Sequence, residues 1–159
     1  MSTFEANDIF EIAIRIEENG SDFYRYAVQM IEDEETRKIF AYLADEEDTH
    51  KAIFKDMLSK LDKHKPPESY PGEYGAYLRD YVDGNIVFTR EAMDSELSRV
   101  KDTLSTINFA IRRELDSILY YHEIKRFISR SQHDSIDKII DEERKHFETL
   151  SEIRKKYKR

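Results

Sequence analysis

Phe40-Ala41-Tyr42-Leu43-Ala44-Asp45-Glu46-Glu47-Asp48-Thr49-His50-Lys51-Ala52-Ile53-Phe54 carries the pattern on which the fold turns. Alternate steps of three and four, carried on past it, select Phe40, Leu43, Glu47, His50, Phe54, Met57 and Leu61, the inward stripe of an amphipathic helix. Glu47 and His50 interrupt that stripe from inside. Near the C-terminus the same walk gives Ile136, Ile139, Glu143, His146, Leu150, Ile153 and Tyr157, with the interruption at the same place. A lone Glu precedes each pair on a helix of its own. Glu17 falls among Ala6, Phe10, Ala13, Gly20, Tyr24, Ala27 and Ile31, and Glu114 among Ile107, Ala110, Ser117, Tyr121, Ile124 and Ile128.

The lone Glu and the paired Glu are 30 residues apart in the first half and 29 in the second. Ala13-Ile14-Arg15-Ile16-Glu17 overlays Ala110-Ile111-Arg112-Arg113-Glu114, Phe23-Tyr24 overlays Tyr120-Tyr121, and Asp45-Glu46-Glu47 overlays Asp141-Glu142-Glu143. One helical hairpin is used twice. An acid-rich chain of this length should hold about one Glu-x-x-His by accident, so it is the position inside two matching stripes that carries weight. A repeating seam without a ligand would place Leu or Ala at these six positions.

Four carboxylates at core positions cost several kcal/mol each if left uncompensated. Two divalent cations cancel their charge, and two neutral imidazoles complete the coordination without altering it. Residues three apart project from one helix face, so a Glu and a His can grip one ion. The expectation is a two-metal site at Glu17, Glu47, His50, Glu114, Glu143 and His146. Glu46 and Glu142 fall off the stripe and are expected to be dispensable for it.

The composition agrees with an all-α chain: 159 residues, four Gly and three Pro, with a net charge of −8. One domain, 1–159, is expected. Acidic residues spread along every helix argue against nucleic acid. The absence of cysteine excludes disulfides, thiolate zinc sites and iron-sulfur clusters. No run approaches the roughly 20 apolar residues of a membrane span, and the first residues lack a basic, apolar leader, so a cytoplasmic location is expected.

Helices are expected from about Ala6 to Ile31, Asp33 to Lys63, Leu104 to Arg130 and Ser135 towards the C-terminus, with Ser131-Gln132-His133-Asp134 as a polar turn. Lys65-Pro66-Pro67-Glu68-Ser69-Tyr70-Pro71-Gly72 stops the second helix. The stretch to Leu104 reads as a crossover with short helices, Tyr74, Tyr77, Leu78 and Tyr81 on one and Thr89 to Val100 on another. Two antiparallel hairpins joined by one long connection make a ferritin-like four-helix bundle.

The ligand set and the Glu-x-x-Gly-x-x-Phe-Tyr run from Glu17 to Tyr24 resemble the rubrerythrin-related branch of the ferritin-like di-iron carboxylate proteins, over nearly the whole chain. The resemblance implies two iron ions, with manganese or zinc as alternatives. It implies that Glu47 and Glu143 bridge them, that Glu17 and Glu114 each cap one, and that each His completes a sphere. Two departures stand out. The chain has no four-cysteine rubredoxin module, so electrons are expected from an external donor such as a rubredoxin-type protein. The further Glu that rubrerythrins carry one turn after the third-helix ligand is Ser117 here, and its first-helix counterpart is Gly20.

The implied function is a di-iron oxidoreductase that reduces hydrogen peroxide or O2. Iron oxidation for storage or detoxification, a non-redox metal-binding or assembly module, and oxygenation of an organic substrate are the alternatives. Tyr24 and Tyr121 lie two turns beyond the lone Glu residues, placed either to hydrogen-bond a ligand carboxylate or simply to pack. His64, His122 and His133 are expected at the surface. The basic run from Arg154 to Arg159 suits a helix C-terminus. A homodimer is expected, with Pro66-Pro67 as the hinge if a hairpin is exchanged.

Overall fold

The computed structural model describes residues 6–61 and 100–158, together with Asp94, Ser95 and Ser98. Four long helices account for most of them: α1 (Ala6–Met30), α2 (Glu34–Ser59), α3 (Thr103–Ile124) and α4 (His133–Tyr157). No strand occurs among the described residues. The expected crossover of 65–104 lies largely outside them; of its second short helix, Asp94 and Ser95 are described and are helical.

Local chemistry sets the helix starts. Asp33 has extended backbone (φ −67°, ψ 120°), and its Oδ2 accepts from Thr36 N at 2.9 Å and Thr36 Oγ1 at 2.7 Å. Asp102 caps α3 in the same way, with Ser105 reaching back to the Asp102 amide in a reciprocal capping box. Only residues 31–33 separate α1 from α2, so the two fold back as antiparallel neighbours.

Two contacts, one buried and one part-buried, set the order of the hairpins. Tyr120 Oη of α3 donates to the Ile9 carbonyl of α1 at 3.0 Å, and Tyr157 Oη of α4 meets Thr36 Oγ1 of α2 at 3.0 Å. Each joins the start of one helix to the end of another. The helices therefore run around the bundle as α1, α2, α4, α3, every neighbour antiparallel. Because α2 and α3 consequently point the same way, no short turn can join the hairpins.

The expected helix ends need correction at two places. Helix α2 stops at Ser59 rather than Lys63, with Lys60 N donating to Met57 O at 3.2 Å and Leu61 N to Leu58 O at 3.3 Å, so the last turn tightens before the prolines are reached. Helix α3 stops at Ile124 rather than Arg130. Two short 3-10 turns follow, Lys125–Phe127 and Arg130–Gln132, around an extended Ile128 (φ −120°, ψ 162°). The cause is packing: Phe127 and Ile128 turn under the bundle and are both buried. The corner is braced by Lys125 Nζ to Asp137 Oδ1 at 2.5 Å. His133, placed in the polar turn by its sequence, is the first residue of α4 and half-buried. His122 is exposed as expected, and His64 lies outside the described residues.

The interior divides into two apolar layers. One holds Phe10, Ala13, Ile16, Phe54, Tyr120, Tyr121, Ile136 and Ile139; the other holds Phe23, Tyr24, Phe40, Leu43, Ile107, Ala110, Leu150 and Ile153. Glu17, Glu47, His50, Glu114, Glu143 and His146 lie between them along every helix. Phe54 closes the first layer against that polar level, its ring 5.0 Å from Tyr121 and 6.5 Å from Phe10. Phe54→Ala is expected to lower the unfolding free energy by about 3–5 kcal/mol, read from denaturant melts of chelator-treated protein.

Candidate metal centre

All six sequence-predicted ligands converge, and none exposes more than 3% of its surface. Their donor atoms form two overlapping groups, each with all atoms within 4.8 Å of one another: Glu17, Glu47, His50 and Glu143, and Glu47, Glu114, Glu143 and His146. Glu47 and Glu143 belong to both. Glu143 Oε1 lies 2.9 Å from His50 Nδ1, and its Oε2 lies 3.0 Å from His146 Nδ1. The lone Glu residues stand further off, Glu17 Oε2 at 3.6 Å from His50 Nδ1 and Glu114 Oε2 at 3.7 Å from His146 Nδ1. The two imidazoles are stacked, centroids 5.7 Å apart. Each hairpin thus supplies one Glu and one Glu-x-x-His, as their spacing predicts.

So much buried acid perturbs every group. Burial, together with repulsion from Glu17 and Glu143, pushes the Glu47 carboxyl well above its ordinary range. Burial and the charges of Glu114 and Glu17 push Glu143 up to about 8. Burial works against charge on the imidazoles, yet the carboxylates around them win, raising His50 to about 12 and His146 to about 10. Glu114 is likewise opposed by burial but is held at about 2 by Glu143 and His146, and Glu17 is lowered in the same sense. In the metal-free protein, protons occupy the places that cations would otherwise fill. Glu17 Oε2 is buried and makes no hydrogen bond, a cost that a coordinated cation removes. Hard carboxylate oxygens with one imidazole per group match Fe(II) or Mn(II), so the residues fit a two-metal centre.

A second set of contacts holds the first. Tyr121 Oη on α3 donates to Glu17 Oε1 on α1, and Tyr24 Oη on α1 donates to Glu114 Oε1 on α3. Each phenol serves the Glu of the opposite helix. Burial and the facing carboxylates push both phenols well above the ordinary tyrosine range, so both remain protonated donors. Glu142 Oε2 lies 2.8 Å from His50 Nε2, and Glu46 Oε2 lies 3.8 Å from His146 Nε2. Glu46, His50 and Glu142 also form a compact donor group of their own. Glu142, expected to be a bystander, therefore grips the outer nitrogen of His50 and orients its Nδ1 inward, while Glu46 stands beside His146 beyond hydrogen-bond reach. The repeat Asp45-Glu46-Glu47 over Asp141-Glu142-Glu143 carried that signal.

Sequence reading missed Arg113 as well. Its guanidinium is 1% exposed, Nη2 donates to the Ile16 carbonyl at 3.0 Å, and Nε is buried without a hydrogen bond. Burial opposes its charge, but Glu47, Glu114 and Glu17 hold it protonated. Ser117, at the site of the absent seventh carboxylate, turns its Oγ back to the Arg113 carbonyl at 2.9 Å.

These shifts set the pH response of the metal-free bundle. Glu143 holds its proton more tightly folded (about 8) than unfolded (4.5), so its contribution is full below about 4.5 and declines up to about 8. His50 and His146 contribute fully below 6.5 and lose that stability as pH rises through about 12 and 10. Glu114 acts oppositely, losing stability only as pH falls from 4.5 towards about 2. Chelator-treated protein is therefore expected to melt lower at pH 9 than at pH 6, by more than about 5 °C, and Glu143→Gln should flatten that slope in a thermal-melt series.

Residues 8–154 match the family model Rubrerythrin. The fold is similar to that of a Thermotoga maritima protein described as a ferritin-like diiron-carboxylate protein, at a TM-score of 0.66 and 28% identity over 98% of this chain and 97% of that one. A hypothetical protein from Pyrococcus furiosus shares the fold at a TM-score of 0.66 and 21% identity, over 98% and 91% of the two chains. No curated protein matches. Because the family model runs from the start of α1 to the last turn of α4, and so takes in both hairpins and every group of the buried cluster, the chain belongs to the rubrerythrin family and has its ferritin-like fold.

Proposed function

We propose that the chain is a two-iron oxidoreductase that reduces hydrogen peroxide or O2 with electrons from an external donor. The sharing of Glu47 and Glu143 between two buried donor groups is the observation that carries this reading, because shared carboxylates hold two cations at bonding distance from one small molecule. Glu17 and Glu114 would each hold one ion from outside, and His50 and His146 would complete the two spheres through Nδ1. Two irons held there would supply two electrons to the oxidant, replaced in turn by two from the external donor.

The remaining work falls to the chain's own side chains. Tyr121 and Tyr24 keep a proton at Oη and fix one oxygen of Glu17 and of Glu114, leaving the other free to turn towards the centre. Glu142 and Glu46, each with 27% of its side chain exposed, form the edge where the cluster approaches solvent, and Glu142 can pass protons to and from His50 Nε2. Phe54 and Tyr121 close one side, and Tyr24 and Phe40, with rings 5.4 Å apart, close the other. Such walls keep bulk water from the two faces of the cluster that they cover. Among the described residues no helix is long and apolar enough to cross a membrane.

Anaerobic loading with Fe(II) is expected to give about two irons per chain, and added peroxide should then be consumed with the growth of near-ultraviolet charge-transfer absorption. Failure of that absorption to appear in the two-iron protein would remove the redox reading, and uptake far beyond two irons would replace it with iron oxidation for storage. Glu47→Ala is expected to leave about one iron per chain or fewer while the metal-free fold persists, whereas Glu142→Gln should retain two with an affinity lower by about 10–100-fold.

A further inference from the structure

The two hairpins repeat closely enough that two metal positions built from them would carry the same charges, and one pair of residues breaks that match. Where α1 has Ile16, α3 has Arg113; where α3 has Ser117, α1 has Gly20. These two departures meet in space. A Cβ built on Gly20 would lie 2.6 Å from Arg113 Nη2, 2.9 Å from Arg113 Nη1 and 2.7 Å from Glu47 Oε2. Gly20 therefore opens a notch in α1 in which the guanidinium faces the shared carboxylate, the two groups within about 5.3 Å of each other. Any side chain at position 20 would have to displace one of them.

The notch is not neutral between the two positions. Arg113 is the chain neighbour of Glu114, and its guanidinium lies 6.0 Å over the ring of Tyr24, whose phenol donates to Glu114. On α1 itself it meets only uncharged groups, donating to the Ile16 backbone carbonyl and lying 5.9 Å over the Phe23 ring. A fixed positive charge in a dry interior repels a cation strongly and with little screening.

We propose that Arg113, seated in the Gly20 notch, makes the two positions unequal, so that a divalent cation fills the Glu17/His50 position first and the Glu114/His146 position second and more weakly. This rests on the two-metal reading and extends it. Arg113 acts as a positioning residue: it does not ligate, and it sets the order of loading through Glu47 and Glu114.

Anaerobic titration of the chelator-treated full chain with Co(II), followed by its d–d absorption, tests this without any turnover. Two dissociation constants differing by at least about tenfold are expected. Anomalous diffraction from crystals holding one Co(II) per chain should find the ion between Glu17 and His50. Arg113→Gln keeps a donor for the Ile16 carbonyl and removes the charge, and the weaker constant should tighten towards the stronger; Arg113→Lys should preserve the gap. Two equal constants in the parent, or occupancy divided equally between the positions, would overturn the inference and leave the two-metal reading intact. Binding of fewer than two Co(II) ions would overturn both. The parent titration and diffraction decide the question even if Arg113→Gln fails to fold.

Discussion

Mutual repulsion of four buried carboxylates at one level of the bundle is the constraint that the rest of the structure accommodates. Glu17, Glu47, Glu114 and Glu143 come from four different helices, so each helix is held at a fixed axial register by the group it must present. An apolar seam tolerates sliding by a methylene here or there; a ring of charges with shared partners does not. The apolar layers above and below are then free to be ordinary packed core of mixed aromatic and aliphatic side chains. Without metal, protons at Glu47 and Glu143 and on both imidazoles relieve the repulsion. Folding and metal uptake are consequently linked, since a cation can enter only as those protons leave.

The same constraint explains why the supporting contacts cross between hairpins. A phenol on the helix of its own Glu could not reach that carboxylate without bending back along the axis, because the side chains lie two turns apart. Antiparallel α1 and α3 instead bring Tyr24 level with Glu114 and Tyr121 level with Glu17. His50 on α2 and Glu142 on α4 are paired by the same antiparallel logic. Every one of these bonds ties one hairpin to the other. The interface between hairpins is held by groups that also shape the centre, so loosening one disturbs the other.

Much of this was legible in the amino-acid order, for a definite reason. Helical period determines which residues of one helix face inward, and Glu47, His50, Glu143 and His146 announce themselves as polar groups on an otherwise apolar stripe. Period is silent about the helix opposite. It could place Tyr24 and Tyr121 on the inner faces but not exchange their partners, and it set Glu142 aside because a residue one step off the stripe of α4 reaches into the centre only when α2 stands beside it. Arg113 was hidden by the same limit. An arginine beside Arg112 on a charged helix reads as solvated surface, and its burial depends on a missing side chain on α1. The end of α3 was misplaced because no Gly or Pro marks it: Phe127 and Ile128 leave the helix to close the base of the bundle, a tertiary gain that no local signal records.

Duplicated hairpins impose equivalence on whatever they enclose, and equivalence suits a site that only stores two like ions. In this chain one buried charge and the glycine that admits it break the repeat at the level of charge, while the six donor residues and the two phenols keep their residue types. Placing the asymmetry outside the donor set leaves the coordination of both positions intact, so that the field across the centre differs without a change of ligand type. Arg113 could not have been accommodated on the α1 side at Ile16 by a like exchange, because its counterpart notch on α3 is filled by Ser117, whose hydroxyl is committed to the helix carbonyl. The repeat is therefore broken in one direction only, an arginine on α3 seated against a glycine on α1.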